Sequence, residues 1–125
     1  MRKSLLDQIT HQGELQWEYS RQGDADVFRC AGAFSLVSHE QLEKIGAQAK
    51  STDAKRVVLD MREVAHMDSA GLGVLAMIVK NLMPTARPLV VIPSPQVRNL
   101  IASTALDRVL IFAESIPAAL DAQPQ

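Results

Sequence analysis

The chain is poor in several things that would point to a particular class of protein. It has one cysteine, Cys30, in 125 residues, so no internal disulfide can form, and the plain reading of Cys30 is a small buried hydrophobe on a strand. Aromatic residues make up only 4% of the chain, too few for a sandwich core stacked with rings. Charge of one sign is also lacking: 13 Lys and Arg against 14 Asp and Glu leave a formal net charge of -1. No broad positive field is therefore available to bind a nucleic-acid backbone by counterion release. No apolar run approaches the roughly 18 residues of a membrane span. The opening Met1-Arg2-Lys3-Ser4-Leu5-Leu6-Asp7-Gln8-Ile9 has no apolar stretch of signal-peptide length either, and the expectation is a cytoplasmic protein without membrane insertion.

What is present is aliphatic. Hydrophobic residues make up 47% of the chain, enough at this length for one domain that folds without staples. Residues 1–13 are polar without a clear period and read as an N-terminal tail, residues 14–120 as a single domain, and 121–125 as a C-terminal tail. Leu15, Trp17 and Tyr19 alternate with polar neighbours, the period of a half-buried strand. Arg21-Gln22-Gly23-Asp24 then offers turn chemistry before a second extended run from Val27 to Ala31, ending at Gly32, so the two form a hairpin.

Ser38 and Gln41 have the spacing of a capping box ahead of Leu42, Ile45 and Ala49, which predicts a helix over 38–50. Arg56-Val57-Val58-Leu59-Asp60-Met61 reads as a central strand covered on both faces. A second helix is expected from Ser69 to Met83, stopped by Pro84. Leu89 to Ile92 forms the next strand, and Ser94-Pro95 opens a third helix as N-cap and first helical residue. Val109 to Phe112 makes the last strand, with a short helix after Ser115 and Pro117. The order β-β-α-β-α-β-α-β-α specifies an α/β fold: a mostly parallel central sheet, an N-terminal antiparallel hairpin strand, and helices packed against it.

His66-Met67-Asp68-Ser69-Ala70-Gly71-Leu72-Gly73 falls where a strand gives way to a helix, the place where open α/β sheets meet ligands and partners. Asp68 or Ser69 can cap the helix, and Gly71 and Gly73 remove side chains so that another surface can approach. The same residues suit a plain N-cap with glycines that serve only helix-to-sheet packing. At 3.6 residues per turn, Leu72, Leu75, Ala76, Val79, Leu82 and Met83 share the face toward the sheet, which leaves Val74 and Met77 pointing away. Apolar side chains beside the bare Gly73 suggest a contact surface, although scattered surface hydrophobes or cover by the N-terminal tail would also account for them.

The chain resembles the STAS family, the bacterial anti-sigma-factor antagonists and their relatives. Asp68-Ser69-Ala70-Gly71-Leu72-Gly73 is similar to the family's phosphorylation motif, Val57 to Asp60 to the strand before it, and Ser94-Pro95-Gln96-Val97-Arg98-Asn99-Leu100 through Leu106-Asp107-Arg108-Val109 to its third helix and the approach to its last strand. The resemblance covers residues 14 to 120. It implies an anti-sigma factor antagonist with Ser69 as phosphoacceptor, a serine protein kinase or anti-sigma factor as partner, and a PP2C-type phosphatase that resets the switch. It implies no cofactor. Partner contacts would come from Asp68, Ser69, Ala70, Gly71, Gly73, Val74, Met77 and Ser35. STAS-like proteins also serve as constitutive subunits of stress-sensing and transporter assemblies, which is the alternative. The chain departs from the family where Ala33-Phe34-Ser35 replaces a Glu-Leu-Asp type triplet that helps to engage the kinase, and where Thr104-Ala105 replaces a common Ser-Gly.

An enzyme fits poorly. His66, Asp68 and Ser69 supply the residue types of a hydrolase triad, but sequence neighbours rarely converge in that geometry, and Met67 stands where a nucleophile elbow needs glycine. His11, His39 and His66 show no metal-ligand spacing with Cys30 or a carboxylate.

Overall fold

In a computed structural model, residues 14–122 are described. The expected N-terminal tail and the last three residues of the C-terminal one lie outside them. The elements are β1 (Gln16–Gln22), β2 (Ala25–Phe34), α1 (His39–Ser51), β3 (Arg56–Met67), α2 (Ser69–Leu82), β4 (Leu89–Pro93), α3 (Pro95–Ala102), β5 (Ile111–Phe112) and α4 (Ile116–Leu120). The strands form one sheet in chain order, with β1 antiparallel to β2 and the remaining pairs parallel. This is the α/β architecture that the pattern of strands and helices specified.

Alternation along the strands sorts the core into two layers. Phe28, Leu59 and Val91 face a cluster completed by Leu42 and Ile45 of α1, Leu75, Ile78, Val79 and Leu82 of α2, and Val97 and Ile101 of α3. Val27, Val58, Val90 and Ile92 point the other way, toward Ala119 of α4. The second layer is thinner because α4 is short. Beyond it the same face carries Asp60, only 5% exposed, whose carboxylate accepts from Arg62 Nε (2.9 Å) and Nη2 (2.7 Å). A carboxylate at such a depth is tolerable because the paired guanidinium satisfies both of its oxygens.

Two strands and the start of one helix differ most from what the sequence predicts, and β2 is also longer at both ends, running from Ala25 to Phe34. β3 runs six residues past Met61. Its register against β4 ends at Met61↔Pro93, while its pairing with β2 continues to Phe34↔Met67, so the extension is a two-stranded ribbon. The register also slips twice, between Arg29 and Ala31 and between Gly32 and Ala33, each time with one extra residue in β3. Such bulges redirect a strand; Gly32, at φ 102°, supplies the left-handed backbone beside the second one. The mixed polarity of Arg62 to His66 hid this ribbon from a search for alternation. β5 is shorter than expected, because Ala105–Arg108 forms a 3₁₀ turn and Val109 is solvent-exposed.

The capping box is the third difference. A 3₁₀ turn over Leu36–Ser38 leads directly into α1, and the Ser38 side chain caps nothing. Its buried Oγ accepts the Leu15 N–H at 2.9 Å, and Gln41 Oε1 accepts the Trp17 indole N–H at 2.8 Å. Both residues of the predicted box fasten the first strand region to the start of α1 instead. Ser38→Ala should strand a buried N–H and lower stability by about 1–3 kcal/mol, read as a fall in urea midpoint with unchanged m-value; a midpoint equal to wild type would contradict this tether.

Candidate functional site: the N-terminal turn of α2

The ribbon of β2 and β3 ends where α2 begins, and Asp68 is the joint. Its backbone is extended (φ -126°, ψ -168°), as an N-cap requires. Oδ1 accepts from the N–H groups of Ala70 (3.0 Å) and Gly71 (3.3 Å). Oδ2 reaches across to accept from the N–H of Leu36 at 3.1 Å. One carboxylate thus caps α2 and also fixes the turn that leads into α1. The Leu36 N–H bond is the strongest influence holding its carboxyl below the usual carboxylate range; the Gly71 and Ala70 N–H groups add to it, partial burial opposes it, and the charge of His66 helps slightly.

Ser69 follows as the first residue of α2 and is solvent-exposed. Oδ1 accepts two backbone N–H groups and Oδ2 one, and no hydrogen bond joins the carboxylate to the Ser69 hydroxyl. The site offers an accessible hydroxyl at a helix N-terminus, where amide dipoles favour added negative charge. Among the described residues, no group of three or more His, Cys, Asp or Glu side chains could hold a metal ion.

The two glycines play different parts. Gly71 is buried, and a Cβ there would overlap the carbonyl oxygen of Phe34 and crowd the Phe34 ring and Met67. Its bareness serves packing of α2 onto the end of the ribbon, so the expectation that Gly71 opens the surface to a partner is corrected. Gly73 is exposed, with nothing near the position a Cβ would take, and there the backbone is open to an approaching surface.

Val74 and Met77 sit at the side of α2 that meets α1. Val74 is half-buried against the core. Met77 is 39% exposed, and its methyl lies where Gly46 of α1 makes room for it. They therefore line a seam between two helices and do not stand free on the far side of α2. The sheet-facing set also shifts: Leu75, Ile78, Val79 and Leu82 are buried, while Ala76 and Met83 are exposed and Leu72 is half-buried. Ile78 belongs to the face that the projection assigned without it.

Ala70 is half-buried. Ser35 is 2% exposed and cannot offer its side chain to a partner. The outward-facing residues are its neighbours, Leu36 at 68% and Val37 at 73% exposed, held beside Asp68 by the Leu36 N–H bond. Sequence reading passed over this pair. The available signal was two consecutive aliphatic residues between a strand end and a serine that opens a helix, where turn-forming polar residues are the norm.

The family model described as "Mlab, STAS domain" matches residues 17–112. The chain belongs to the STAS domain family. Solved structures agree in fold. An anti-sigma factor antagonist from Mycobacterium paratuberculosis, 20% identical, superposes with a TM-score of 0.80 over 90% of this chain and 96% of that one. The anti-sigma factor antagonist SpoIIAA in its unphosphorylated form is 21% identical, with a TM-score of 0.68 over 85% and 94%. The Bacillus cell fate determinant SpoIIAA in the phosphorylated form is 20% identical, with a TM-score of 0.65 over 85% and 97%. These likenesses establish a shared STAS fold.

Two outcomes follow from the geometry. Gly71→Ala should destabilise the protein by about 1–3 kcal/mol through overpacking against a backbone carbonyl, whereas Gly73→Ala should be neutral or stabilise by up to about 1 kcal/mol through helix propensity; thermal unfolding of the pair separates packing from openness. Asp68→Ala should cost about 1 kcal/mol at neutral pH as a lost cap. Because the Asp68 pKa is lowered on folding, its contribution is present above the unfolded value of about 3.9 and is lost as pH falls through the lowered folded value. The difference between wild type and Asp68→Ala in urea unfolding should therefore shrink below about pH 3.9; a difference that grew on acidification would have the wrong sign.

Proposed function

We propose that this STAS protein is an anti-sigma factor antagonist, a protein-binding switch that is active when Ser69 is unphosphorylated. The observation that carries the reading is the placement of Ser69: exposed on the first turn of a helix, directly after its capping carboxylate, with Gly73 open on the same helix and Leu36 and Val37 exposed beside the cap. The partner would be an anti-sigma factor or related serine protein kinase, opposed by a PP2C-type phosphatase, and such a pathway operates in the cytoplasm. The role is binding, not catalysis. Among the described residues no helix is long and apolar enough to cross a membrane.

Phosphorylation adds roughly 1.5–2 negative charges at neutral pH. Within the domain the phosphate would sit on an exposed first turn, solvated by water, and the helix dipole partly offsets the repulsion from Asp68, whose carboxylate already takes the Ala70 and Gly71 N–H groups. At an interface the same dianion must lose its water against a surface shaped for a neutral hydroxyl, and an unpaired buried charge is strongly unfavourable. Docking is lost and the fold is kept. Contacts with the partner would be made by Asp68, Ser69, Ala70, Gly73, Val74 and Met77, and the exposed Leu36 and Val37 extend that set in place of the buried Ser35 and Gly71.

A second reading is a constitutive interaction subunit of a stress-sensing or transporter assembly. It is favoured by the unacidic Ala33-Phe34-Ser35 segment, of which Phe34 and Ser35 are buried, and by the apolar residues after it, where the family resemblance implies acids that engage a kinase. Incubation with the candidate kinase and intact-mass measurement distinguishes the two: one added phosphate, abolished by Ser69→Ala, supports the switch. Titration against the kinase then checks the mechanism. Ser69→Ala should bind as tightly as the unphosphorylated protein, and Ser69→Asp should bind at least about tenfold more weakly with the same circular dichroism spectrum. Equal binding by both variants would remove Ser69 as the control point.

A further inference from the structure

Past the carboxyl ends of β4 and β5, an open cavity of about 530 Å³ is bordered by Arg62 of β3, Pro93 of β4, Arg98 and Asn99 of α3, and Glu114 after β5. None of the residues assigned above to partner contact lines it. Its size is that of a small-molecule site, for which roughly 300–1,000 Å³ is usual.

Three charged side chains border this space, and no ion pair joins any two of them. The Arg98 guanidinium lies over the Phe112 ring, 4.5 Å from its centroid. Stacking of this kind fixes the guanidinium plane and leaves its N–H edge available, and among the described residues no carboxylate or hydrogen-bond acceptor takes those donors. Arg62 is fixed in a different way. Its Nε and Nη2 are bound to Asp60 at 2.9 and 2.7 Å, which leaves Nη1 for another acceptor, and Asp60 itself does not line the cavity. Glu114 is exposed and is an acceptor without an ion pair among the described residues.

The chemistry that suits this set is mixed. Two guanidinium groups held in place match the oxygens of a phosphate, which arginine takes through paired N–H donors, and groups already fixed lose little freedom on binding. A carboxylate bordering the same space repels a bare anion and favours one that also carries hydroxyl donors. The Asn99 amide can donate or accept. We infer that the cavity binds a small phosphate monoester bearing hydroxyl groups, with the phosphate on Arg98 and Arg62 and a hydroxyl on Glu114. The site uses none of the residues of the proposed switch and does not depend on the phosphorylation of Ser69.

The test is a titration of the full-length, isotope-labelled protein with ribose 5-phosphate at constant ionic strength. It is followed by the Arg98 Nε–H signal, the Asn99 side-chain amide and the backbone amides of Ser94, Ala113 and Glu114. Their shifts should saturate with a Kd of about 1 mM or below. Ribose should leave them unmoved, and inorganic phosphate should bind about tenfold more weakly. Arg98 and Glu114 are exposed, so substitutions there leave the core intact. Arg98→Gln should weaken ribose 5-phosphate at least about tenfold, Arg98→Lys should restore only part of the loss because the planar fork is missing, and Glu114→Gln should narrow the gap between ribose 5-phosphate and inorganic phosphate. Shifts that do not saturate, shifts that Arg98→Gln leaves unchanged, or equal binding of inorganic phosphate to the wild type overturn the inference. A phosphoserine peptide that moves the same signals at lower concentration than ribose 5-phosphate overturns it too, since a phosphorylated protein would then be the occupant.

Discussion

The geometry of the site depends on one shared carboxylate. Asp68 accepts from two N–H groups at the start of α2 and from the Leu36 N–H of the turn before α1. Two segments 32 residues apart in sequence are thereby held in one orientation. A helix N-terminus has unpaired donors by construction, and an N-cap usually satisfies them locally. Here the second oxygen of the cap also orders the turn that presents Leu36 and Val37. Each bond is modest by itself, but together they make the placement of Ser69, of the open Gly73 and of the aliphatic pair a single structural fact.

The sheet is built to deliver that carboxylate. β3 is covered on both faces where it lies between β2 and β4, then continues with β2 alone, bent by two bulges, until Met67 closes the ribbon above Gly71. The absence of a side chain at Gly71 lets α2 start directly under the Phe34 carbonyl. Ser94 secures the same ribbon from the other side: its buried Oγ donates to the Val64 carbonyl at 2.8 Å and accepts from the Val97 N–H that opens α3. The exposed hydroxyl of Ser69 thus stands on a rigid base, which suits the proposed switch, in which charge would change at this surface while its shape would not.

Much of this was legible in the sequence because the residues that form the base obey simple periodicities. The strand run from Val57 to Met61 and the pairing of Ser94 with Pro95 each identify their element with little ambiguity, and the six-residue motif from Asp68 to Gly73 marks the site. The parts that were not legible depend on tertiary partners. Ser38 and Gln41 have the spacing of a capping box, yet a 3₁₀ turn already starts α1, so their side chains are free to bind Leu15 and Trp17. Gly71 and Gly73 are indistinguishable as letters; one lies under a carbonyl and the other faces solvent. Val74 and Met77 point away from the sheet on an ideal helical projection, but that projection knows nothing of α1, whose Gly46 admits the Met77 methyl. Ser35 and Leu36 are adjacent, and only the direction of the turn decides which is buried.

The central claim is that charge at Ser69 abolishes docking and leaves the fold in place. It is tested most directly on one preparation of the protein, before and after stoichiometric phosphorylation, by titration calorimetry against the partner kinase and by thermal unfolding of the same samples. The account predicts loss of measurable binding with an unfolding midpoint close to that of the unphosphorylated protein. Undiminished binding by the phosphoprotein, or binding lost only because the domain has unfolded, would contradict it.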